Sequence, residues 1–355
     1  MKTKRLYYYL PKNLIAQESV YPRDRSKLLV FDKRKSKIVH DNFFNLKKYL
    51  KKDDILVFND TKVIPARLLG KRYKGGRPIE IFLLKKLKNG NWKCLVGGKR
   101  RHLVERIEFQ GSKLIAKIVK KLDNGIWQIS FNIKGDRFWR EIKKIGFIPT
   151  PPYIKKEIQA EKAKKGYYQT VYAKKEGSVA APTAGFHFTQ RLIKELKKKG
   201  IDIVFVTLHV GLGTFMPIKE RRVEEHKMHP EYFKLNKYTA DFLNKAKNDK
   251  RRIIAVGTTT ARALEFCAAT PLPRRKKNLL IPFSGETNLF IKPGYKFKII
   301  DGLISNFHLP YSTLLLLVSA FIGEKDGLKK IKEIYKEAIK KKYRFYSFGD
   351  AMFIK

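Results

Sequence analysis

The sequence predicts an α/β protein in which a large domain with a mixed, sheet-like or barrel-like core carries an inserted, smaller all-β domain that resembles a barrel. Its 355 residues are enough for about two domains at roughly 150 residues each. Short segments of strand length fill residues 67–150, whereas strands and helices alternate on both sides. A proline cluster at 149–152 disfavours continuation of the β-rich stretch. We therefore predict a large domain of residues 1–66 and 151–355 and an inserted domain of residues 67–150.

Before the inserted domain, the pattern predicts a buried strand at Asp54–Phe58, and after it two more strands are predicted at 201–208 and 252–256. Because helices separate these strands, we expect βαβ units and a parallel or mixed sheet. Thr189 and Gly200 are the predicted start and stop signals of one helix. The predicted helices cover 189–199, 239–249, 260–269, 314–322 and 327–341.

The inserted domain is predicted from five apolar segments separated by Asn-Gly and Gly-Gly turn signals. A short helical piece at 139–145 precedes the proline cluster. This pattern is typical of a small β-barrel or sandwich. The predicted strands are Ile79–Leu84, Trp92–Val96, Arg106–Phe109, Leu114–Val119 and Ile126–Phe131.

The chain is strongly basic, with 79 Lys and Arg residues against 32 acidic ones and a net charge of +47. Such a charge favours polyanionic partners, and nucleic acid is a stronger candidate than an acidic membrane. Positive charge is denser in residues 67–150 than elsewhere. One interpretation is a nucleic-acid contact, with Lys99, Arg100 and Arg101 as candidate residues for that contact. The other is that a small domain has more surface per residue.

Several function classes are disfavoured by residue usage. Cys94 and Cys267 stand far apart, which excludes a disulfide framework and a cysteine zinc site and fits a reducing cytoplasm. His226 and His229 form an H-x-x-H pair with no third ligand, so we predict no metal site. No segment reaches the roughly 20 apolar residues of a membrane span, and the first residues lack a secretory pattern.

Three loops rich in small residues follow predicted strands or precede predicted helices, at 177–188, 207–215 and 257–262. Small residues allow a ligand to approach the backbone, and α/β sheets bind ligands where their strands end. His187 and His209 lie in two of these loops and are candidates for proton transfer near neutral pH. Arg262 is a candidate clamp for a carboxylate or phosphate.

Ordered sequence blocks lie along most of the chain: Pro22–Val30, Asp54–Leu68, the two loops 177–188 and 207–215, His226–His229, Gly257-Thr-Thr, Asp301–Thr313 and Tyr343–Met352. Together these blocks resemble the S-adenosylmethionine:tRNA ribosyltransferase-isomerases of queuosine biosynthesis. Leu212 stands where the family usually has alanine, and Thr260-Ala261 where it tends to have Ser-Val. Neither departure removes a histidine or adds a charge.

The resemblance implies that S-adenosylmethionine serves as a co-substrate that gives up its ribosyl part. The implied acceptor is the aminomethyl group of 7-aminomethyl-7-deazaguanine at the tRNA wobble position, and the products are epoxyqueuosine in tRNA, adenine and methionine. It also implies no metal or redox cofactor and a large α/β domain beside a smaller all-β one. We further expect a cytoplasmic enzyme, a monomer, with no membrane partner.

The implied chemistry needs a base for the C5′ proton beside the sulfonium and an acid for the departing adenine. His187, His209 and His229 are the candidate catalytic residues. Asp60, Phe186 and Phe215 are candidates to hold the sulfonium, and loop packing is the alternative for each. The full set of candidate substrate-binding residues is Asp60, Thr183, Gly185, Phe186, Gly211, Gly213, Thr214, Phe215, Thr258, Arg262, Asn306 and His308.

Two other classes of function stay open on the sequence. A pure RNA-binding module explains the charge but not the histidine loops at several strand ends. A methyltransferase uses the same co-substrate, but it releases S-adenosylhomocysteine instead of adenine and methionine.

Overall fold

The structure, a computed structural model, describes residues 1–73, 76–97, 106–160, 166–269 and 279–355. They form two compact units. The larger unit comprises Met1–Lys62, Gln169–Lys175 and Ala181–Lys355, and the smaller comprises Val63–Tyr168 and Glu176–Ala180.

The helices of the described chain are α1 (Gly135–Ile145), α2 (Gln190–Lys198), α3 (Lys237–Asn248), α4 (Thr258–Ala269), α5 (Thr313–Ile322) and α6 (Gly327–Lys340). Its strands are β1 (Lys27–Asp32), β2 (Lys37–Asn42), β3 (Ile55–Asn59), β4 (Thr61–Val63), β5 (Arg67–Arg72), β6 (Pro78–Lys86), β7 (Trp92–Gly97), β8 (Arg106–Glu108), β9 (Ile115–Lys121), β10 (Ile126–Phe131), β11 (Phe147–Ile148), β12 (Ile158–Gln159), β13 (Lys175–Ser178), β14 (Asp202–Leu208), β15 (Glu231–Leu235), β16 (Ile253–Val256), β17 (Phe283–Thr287), β18 (Gly302–Asn306) and β19 (Ala351–Ile354).

The larger unit contains a nine-stranded mixed sheet in the order β17-β15-β14-β3-β16-β18-β19-β1-β2. The four strands β14, β3, β16 and β18 are parallel, while β15 and β19 flank them in antiparallel pairing. The described strands form an open sheet that ends at β17 and β2. The mixed-sheet prediction is therefore confirmed, and the barrel-like alternative for this domain is wrong.

The core of the larger unit forms around β3, whose five residues are all buried. A strand covered on both faces reads as a continuous apolar run, as in Ile55–Phe58. Phe58 stacks on Tyr172 with ring centroids 4.4 Å apart and also meets Phe188 edge to face. Helix α2 adds Leu192 and Leu196 to the same cluster.

The predicted signals for helix α2 are confirmed at both ends. The Thr189 side chain accepts a hydrogen bond of 3.1 Å from the backbone N–H of Leu192, as an N-cap does. Gly200 adopts a φ of +81°, a conformation that favours glycine after a helix end.

The smaller unit holds a closed six-stranded antiparallel barrel of β5, β6, β7, β10, β9 and β8. Pairing of Lys71 with Glu108 and of Arg72 with Ile107 closes it. Inward and outward residues alternate along β7, as expected for a barrel strand. At Gly70 an added Cβ would lie 2.8 Å from the Glu108 carbonyl oxygen, so the closing strands approach too closely for a side chain.

The smaller unit extends beyond the predicted limits of 67–150. After the proline cluster, Ile158–Gln159 forms β12, which pairs with β11, and β11 in turn pairs with β5 of the barrel. The chain therefore stays attached to the barrel for several residues that the sequence assigns to the large domain.

Among the described residues, no helix is long and apolar enough to cross a membrane. The same residues contain no group of three or more His, Cys, Asp or Glu side chains placed to hold a metal ion.

Candidate active site

The carboxyl ends of four neighbouring parallel strands meet at one edge of the large sheet. His209 follows β14, Asp60 follows β3, Thr258 begins α4 just after β16, and Asn306 ends β18. The sequence predicts all four as site residues, and the fold brings their strand ends together. Open α/β sheets bind ligands at this edge, so we take it as the candidate active site.

Asn59, the last residue of β3, joins three of these strand ends. Its side-chain amide donates to the carbonyl of Leu208 at 2.9 Å, and its carbonyl oxygen accepts from the N–H of Leu208 at 3.0 Å. The same amide lies 3.4 Å from Thr259 Oγ1 in α4. These bonds fix the end of β14, where His209 begins its loop, against β3 and α4.

His209 keeps one ring nitrogen available for chemistry. Its Nδ1 lies 2.8 Å from Thr61 Oγ1, and that hydroxyl lies 3.5 Å from the Lys175 carbonyl oxygen. With the hydroxyl donating to the carbonyl, Nδ1–H donates to the hydroxyl and Nε2 keeps its lone pair. Within the described chain, Nε2 has no hydrogen-bond partner. Burial lowers the pKa of His209, so the ring is neutral and basic near pH 7.

Asp60, which follows β3 at the same edge, is a buried carboxylate. Its side chain is 8% exposed, and Oδ1 accepts a hydrogen bond of 2.6 Å from Thr207 Oγ1. Burial raises the pKa of Asp60, and the Thr207 bond together with Lys175 and Lys174 opposes that shift. Because a buried carboxylate is stabilised by a neighbouring cation, the position suits a cationic ligand.

Glu231 holds the glycine loop of 211–214 against helix α4. Its Oε1 accepts hydrogen bonds from the N–H of Gly211 at 2.8 Å and from Thr214 Oγ1 at 3.2 Å. Its Oε2 forms an ion pair with Arg262, and the two side chains are only 4% and 8% exposed. Burial lowers the pKa of Arg262 to about 10. A protein carboxylate thus already pairs with Arg262, and its predicted role as a substrate clamp stays a prediction.

His229 lies over the same loop. It is exposed, and a Cβ added at Gly213 would come within 2.6 Å of its Cδ2 atom. Gly213 must therefore lack a side chain for the imidazole to lie there. This contact brings His229 to the loop that follows His209.

His187 is fully engaged by its neighbours. Nδ1 lies 2.7 Å from Ser26 Oγ, and Nε2 lies 3.2 Å from Asn306 Nδ2, which is a donor. Asn306 Oδ1 accepts from Thr183 Oγ1 at 3.1 Å, which fixes the amide orientation. Burial, with smaller effects of Arg344 and Arg23, lowers the pKa of His187 to about 3. This neutral ring positions the turn at Thr183–His187; its role in proton transfer stays a prediction.

Phe186 and Gly185 are packed inside the turn. The Phe186 ring stacks on Phe348 at 5.8 Å, and the Arg23 guanidinium lies 5.0 Å from its centroid. The Arg23 guanidinium therefore already lies over the Phe186 ring, where a bound sulfonium is expected if Phe186 holds it. At Gly185 an added Cβ would lie 1.9 Å from Tyr172 Oη, so this position accepts only glycine.

His308 belongs to a separate hydrogen-bond group just beyond β18. Its Nε2 lies 2.7 Å from Ser305 Oγ, and its backbone N–H donates to Tyr335 Oη at 2.9 Å. Burial lowers the pKa of His308 to about 3, so the ring is neutral. These contacts hold the segment after β18 against α6.

Some predicted site residues cannot be placed. Lys99, Arg100 and Arg101 lie outside the described residues, so their contact with tRNA stays a prediction. Phe215 ends the short 3-10 turn Leu212–Phe215, and its side chain is likewise outside what the structure describes.

The sequence does not predict Glu231 or Asn59 as site residues. A signal for Glu231 exists, because β15 alternates buried and outward residues and places Glu231 on the same buried face as Phe233 and Leu235. A charged residue at a buried position of a strand indicates a partner or a function. Asn59 gives no such signal, because its contacts depend on how β14 and α4 pack.

Comparisons with known proteins agree with this architecture. The profile of a family described as queuosine biosynthesis protein matches residues 3–354. Proteins named S-adenosylmethionine:tRNA ribosyltransferase-isomerase from Caldanaerobacter subterraneus and Thermoanaerobacter sp. are each 48% identical over 355 residues and are matched over the whole of both chains. A crystal structure of S-adenosylmethionine tRNA ribosyltransferase from Thermotoga maritima is 36% identical, with a TM-score of 0.55 over 99% of this chain and 100% of that one.

Proposed function

Because this chain belongs to the family of queuosine biosynthesis proteins, we propose that it transfers the ribosyl part of S-adenosylmethionine to tRNA and isomerises it during transfer. The acceptor in this proposal is the aminomethyl group of 7-aminomethyl-7-deazaguanine at the wobble position. The products are epoxyqueuosine in tRNA, adenine and methionine. The names of the relatives support the transferase class and the two substrates.

The observation that carries the proposal is that His209, at the carboxyl edge, uses only its Nδ1 in hydrogen bonds with the described residues, which leaves Nε2 available. The sulfonium acidifies the C5′–H bond of the ribosyl group, and His209 Nε2 takes that proton. The lowered pKa of His209 keeps the ring in the form that accepts a proton. Its Nδ1 contact with Thr61, at 2.8 Å, orients the ring and stabilises the imidazolium that forms.

Asp60 supports the same step by binding the sulfonium. Thr207 holds one carboxylate oxygen, which leaves the other to face the cation. Asp60 is thus a candidate for orienting S-adenosylmethionine with its C5′ atom toward His209. The proton then moves within a fixed geometry, which is where enzymes gain much of their rate.

The test compares His209→Ala with His40→Ala, a matched change at an exposed histidine on edge strand β2. We measure adenine release from S-adenosylmethionine with tRNA that carries the aminomethyl base. Loss of a proton-transfer group costs about 10²–10⁴ in rate, so His209→Ala should lose that much without a lower unfolding temperature.

His40→Ala should keep its activity. Near-normal adenine release by His209→Ala contradicts the proposed role. So does a loss of activity that parallels a fall in unfolding temperature, because it points to packing.

A further inference from the structure

A large basic cavity lies at the edge of the nine-stranded sheet opposite the candidate active site. Its volume is about 1180 Å³. Its lining comes from the amino ends of the parallel strands, including Lys51 before β3, Arg252 before β16 and Asp301 before β18. Lys33 after β1 and Lys355 after β19 complete the same edge, because β19 runs antiparallel to β18 and parallel to β1. The cavity is therefore separate from the candidate active site at the carboxyl edge.

The cavity lining contains ten Lys and Arg residues and three acidic residues. Four of the cations are neutralised by carboxylates of the chain. Two of these contacts are 3.2 and 2.9 Å long, for Lys247 and Lys355 respectively. The four pairs are Arg252 with Asp54, Arg251 with Asp202, Lys247 with Asp301 and Lys355 with Asp32.

The remaining positive charge stands at the rim. Five exposed cations line the cavity and form no ion pair with any described residue; these are Arg34, Lys35, Lys51, Lys250 and Lys296. Two of the three acidic residues in the lining, Asp32 and Asp301, are used by the paired cations. Glu324 is left as the single acid of the lining outside those pairs, so the rim carries an uncompensated positive potential.

We propose that this cavity binds the phosphodiester backbone of tRNA at a place remote from the base that reacts. The inference rests on the proposed function, since it takes tRNA as the substrate. The five rim cations come from four separate chain segments and line a cavity of about 1180 Å³, which suits a row of phosphates better than a single anion. Lysine and arginine contacts of this kind fix position without reading sequence.

The distance between the two edges fits an extended substrate. The five residues of β3 span about 17 Å at the usual rise of a strand. An RNA that delivers one base to the carboxyl edge must continue past the sheet to reach the cavity. Intact tRNA extends much further from its anticodon than an isolated anticodon stem-loop does.

The test uses the triple variant Lys35→Gln, Lys51→Gln and Lys296→Gln in the full chain. Affinity for intact tRNA and for an anticodon stem-loop is measured from about 50 to 200 mM salt. Each lost phosphate contact lowers the slope of log affinity against log salt by about 1. We expect the slope for intact tRNA to fall by about 3 in total, and the slope for the stem-loop to fall by less, because the stem-loop carries fewer phosphates beyond the reacting base.

The matched control removes three exposed lysines of the same unit that do not line the cavity, in the variant Lys194→Gln, Lys329→Gln and Lys336→Gln. An equal fall in slope in the control, or an unchanged slope for intact tRNA in the cavity variant, overturns the inference. Failure of the proposed function is distinguishable from failure of this inference. If the proposed function is wrong, the unaltered protein releases no adenine when it is given S-adenosylmethionine and tRNA.

Discussion

Side chains at the carboxyl edge differ in how much hydrogen-bonding capacity the fold leaves free. Both ring nitrogens of His187 are occupied, whereas His209 uses only Nδ1 within the described chain. A histidine can exchange protons with substrate only through a free nitrogen. Of these two histidines, His209 is therefore the better suited to act as a base.

We predict that the affinity for S-adenosylmethionine depends on pH through the Asp60 carboxyl. Burial raises the pKa of this carboxyl above 3.8, and only the ionised form attracts the sulfonium. Affinity should therefore decrease as the pH falls through the raised pKa. Asp60→Asn should bind about tenfold more weakly at neutral pH, equivalent to about 1.4 kcal/mol, and should lose this pH dependence.

Calorimetric titration at several pH values measures both effects. Asp241→Asn, at an exposed acid on α3, serves as the control and should change neither. An Asp60→Asn variant whose affinity still declines in parallel with that of the unaltered protein contradicts the role of Asp60.

His187 leads to a prediction about stability. Its pKa falls from 6.5 to about 3 in the folded chain. At pH values between these two pKa values, His187 binds a proton in the unfolded chain but not in the folded chain. The free energy of unfolding therefore decreases as the pH falls below 6.5. The slope reaches about 1.4 kcal/mol per pH unit. His187→Gln keeps groups that can bond Ser26 and Asn306 but does not titrate.

Urea unfolding at pH 7 and pH 5 checks this prediction. The loss of stability between the two pH values should be smaller by about 2 kcal/mol in His187→Gln than in the unaltered protein. Equal losses in the two proteins would show that His187 does not titrate as the buried geometry requires.

At the scale of elements, the ion pair of Glu231 and Arg262 connects β15 to α4. Removing one partner of a buried pair leaves an unpaired charge and costs about 3 kcal/mol or more. Glu231→Gln and Arg262→Met should each destabilise the protein by about this amount. The double variant should be more stable than either single variant, because no unpaired charge is left buried.

Chemical unfolding of the three variants gives the coupling energy. Lys330→Met, which breaks an exposed pair with Glu333, should cost about 0.5 kcal/mol or less. Additive losses in the double variant would show that Glu231 and Arg262 do not stabilise each other.

The sequence predicts the elements whose signals are local. Helix α2 has its cap and its glycine stop, and β3, β14 and β16 each contain at least four consecutive apolar residues. The sequence does not predict the pairing of β1 with β19. In this pair Leu28 lies opposite Ala351, from the other end of the chain. Such a contact depends on tertiary packing, and no pattern within either strand indicates it. Closure of the barrel through β5 and β8 is non-local in the same way.

The candidate site was predictable to a similar extent. Residues at strand ends within small-residue loops, such as His209 and Thr258, are found from the sequence because strand ends of an α/β sheet share one edge. Residues that only orient others, such as Asn59 and Ser26, are not found. Their function depends on contacts with His187 or with β14, and these exist only in the folded chain.

At the scale of the whole molecule, the net charge is +47, and the two edges of the large sheet differ in the kind of surface that they present. The carboxyl edge is rich in buried, hydrogen-bonded groups, and we propose that they select and orient S-adenosylmethionine. The amino edge carries the rim cations that we propose contact phosphates, and such contacts have little selectivity. Raising the salt concentration should therefore weaken tRNA binding and leave recognition of S-adenosylmethionine nearly unchanged.

In the reaction that we propose, the ribosyl group of S-adenosylmethionine, and not its methyl group, is transferred to tRNA. Two preparations of S-adenosylmethionine, one labelled in the ribosyl carbons and one in the methyl carbon, are incubated with the protein and with tRNA that carries the aminomethyl base. We expect tRNA to gain the ribosyl label, while the methyl label leaves with methionine. Methyl label in tRNA together with release of S-adenosylhomocysteine would contradict it.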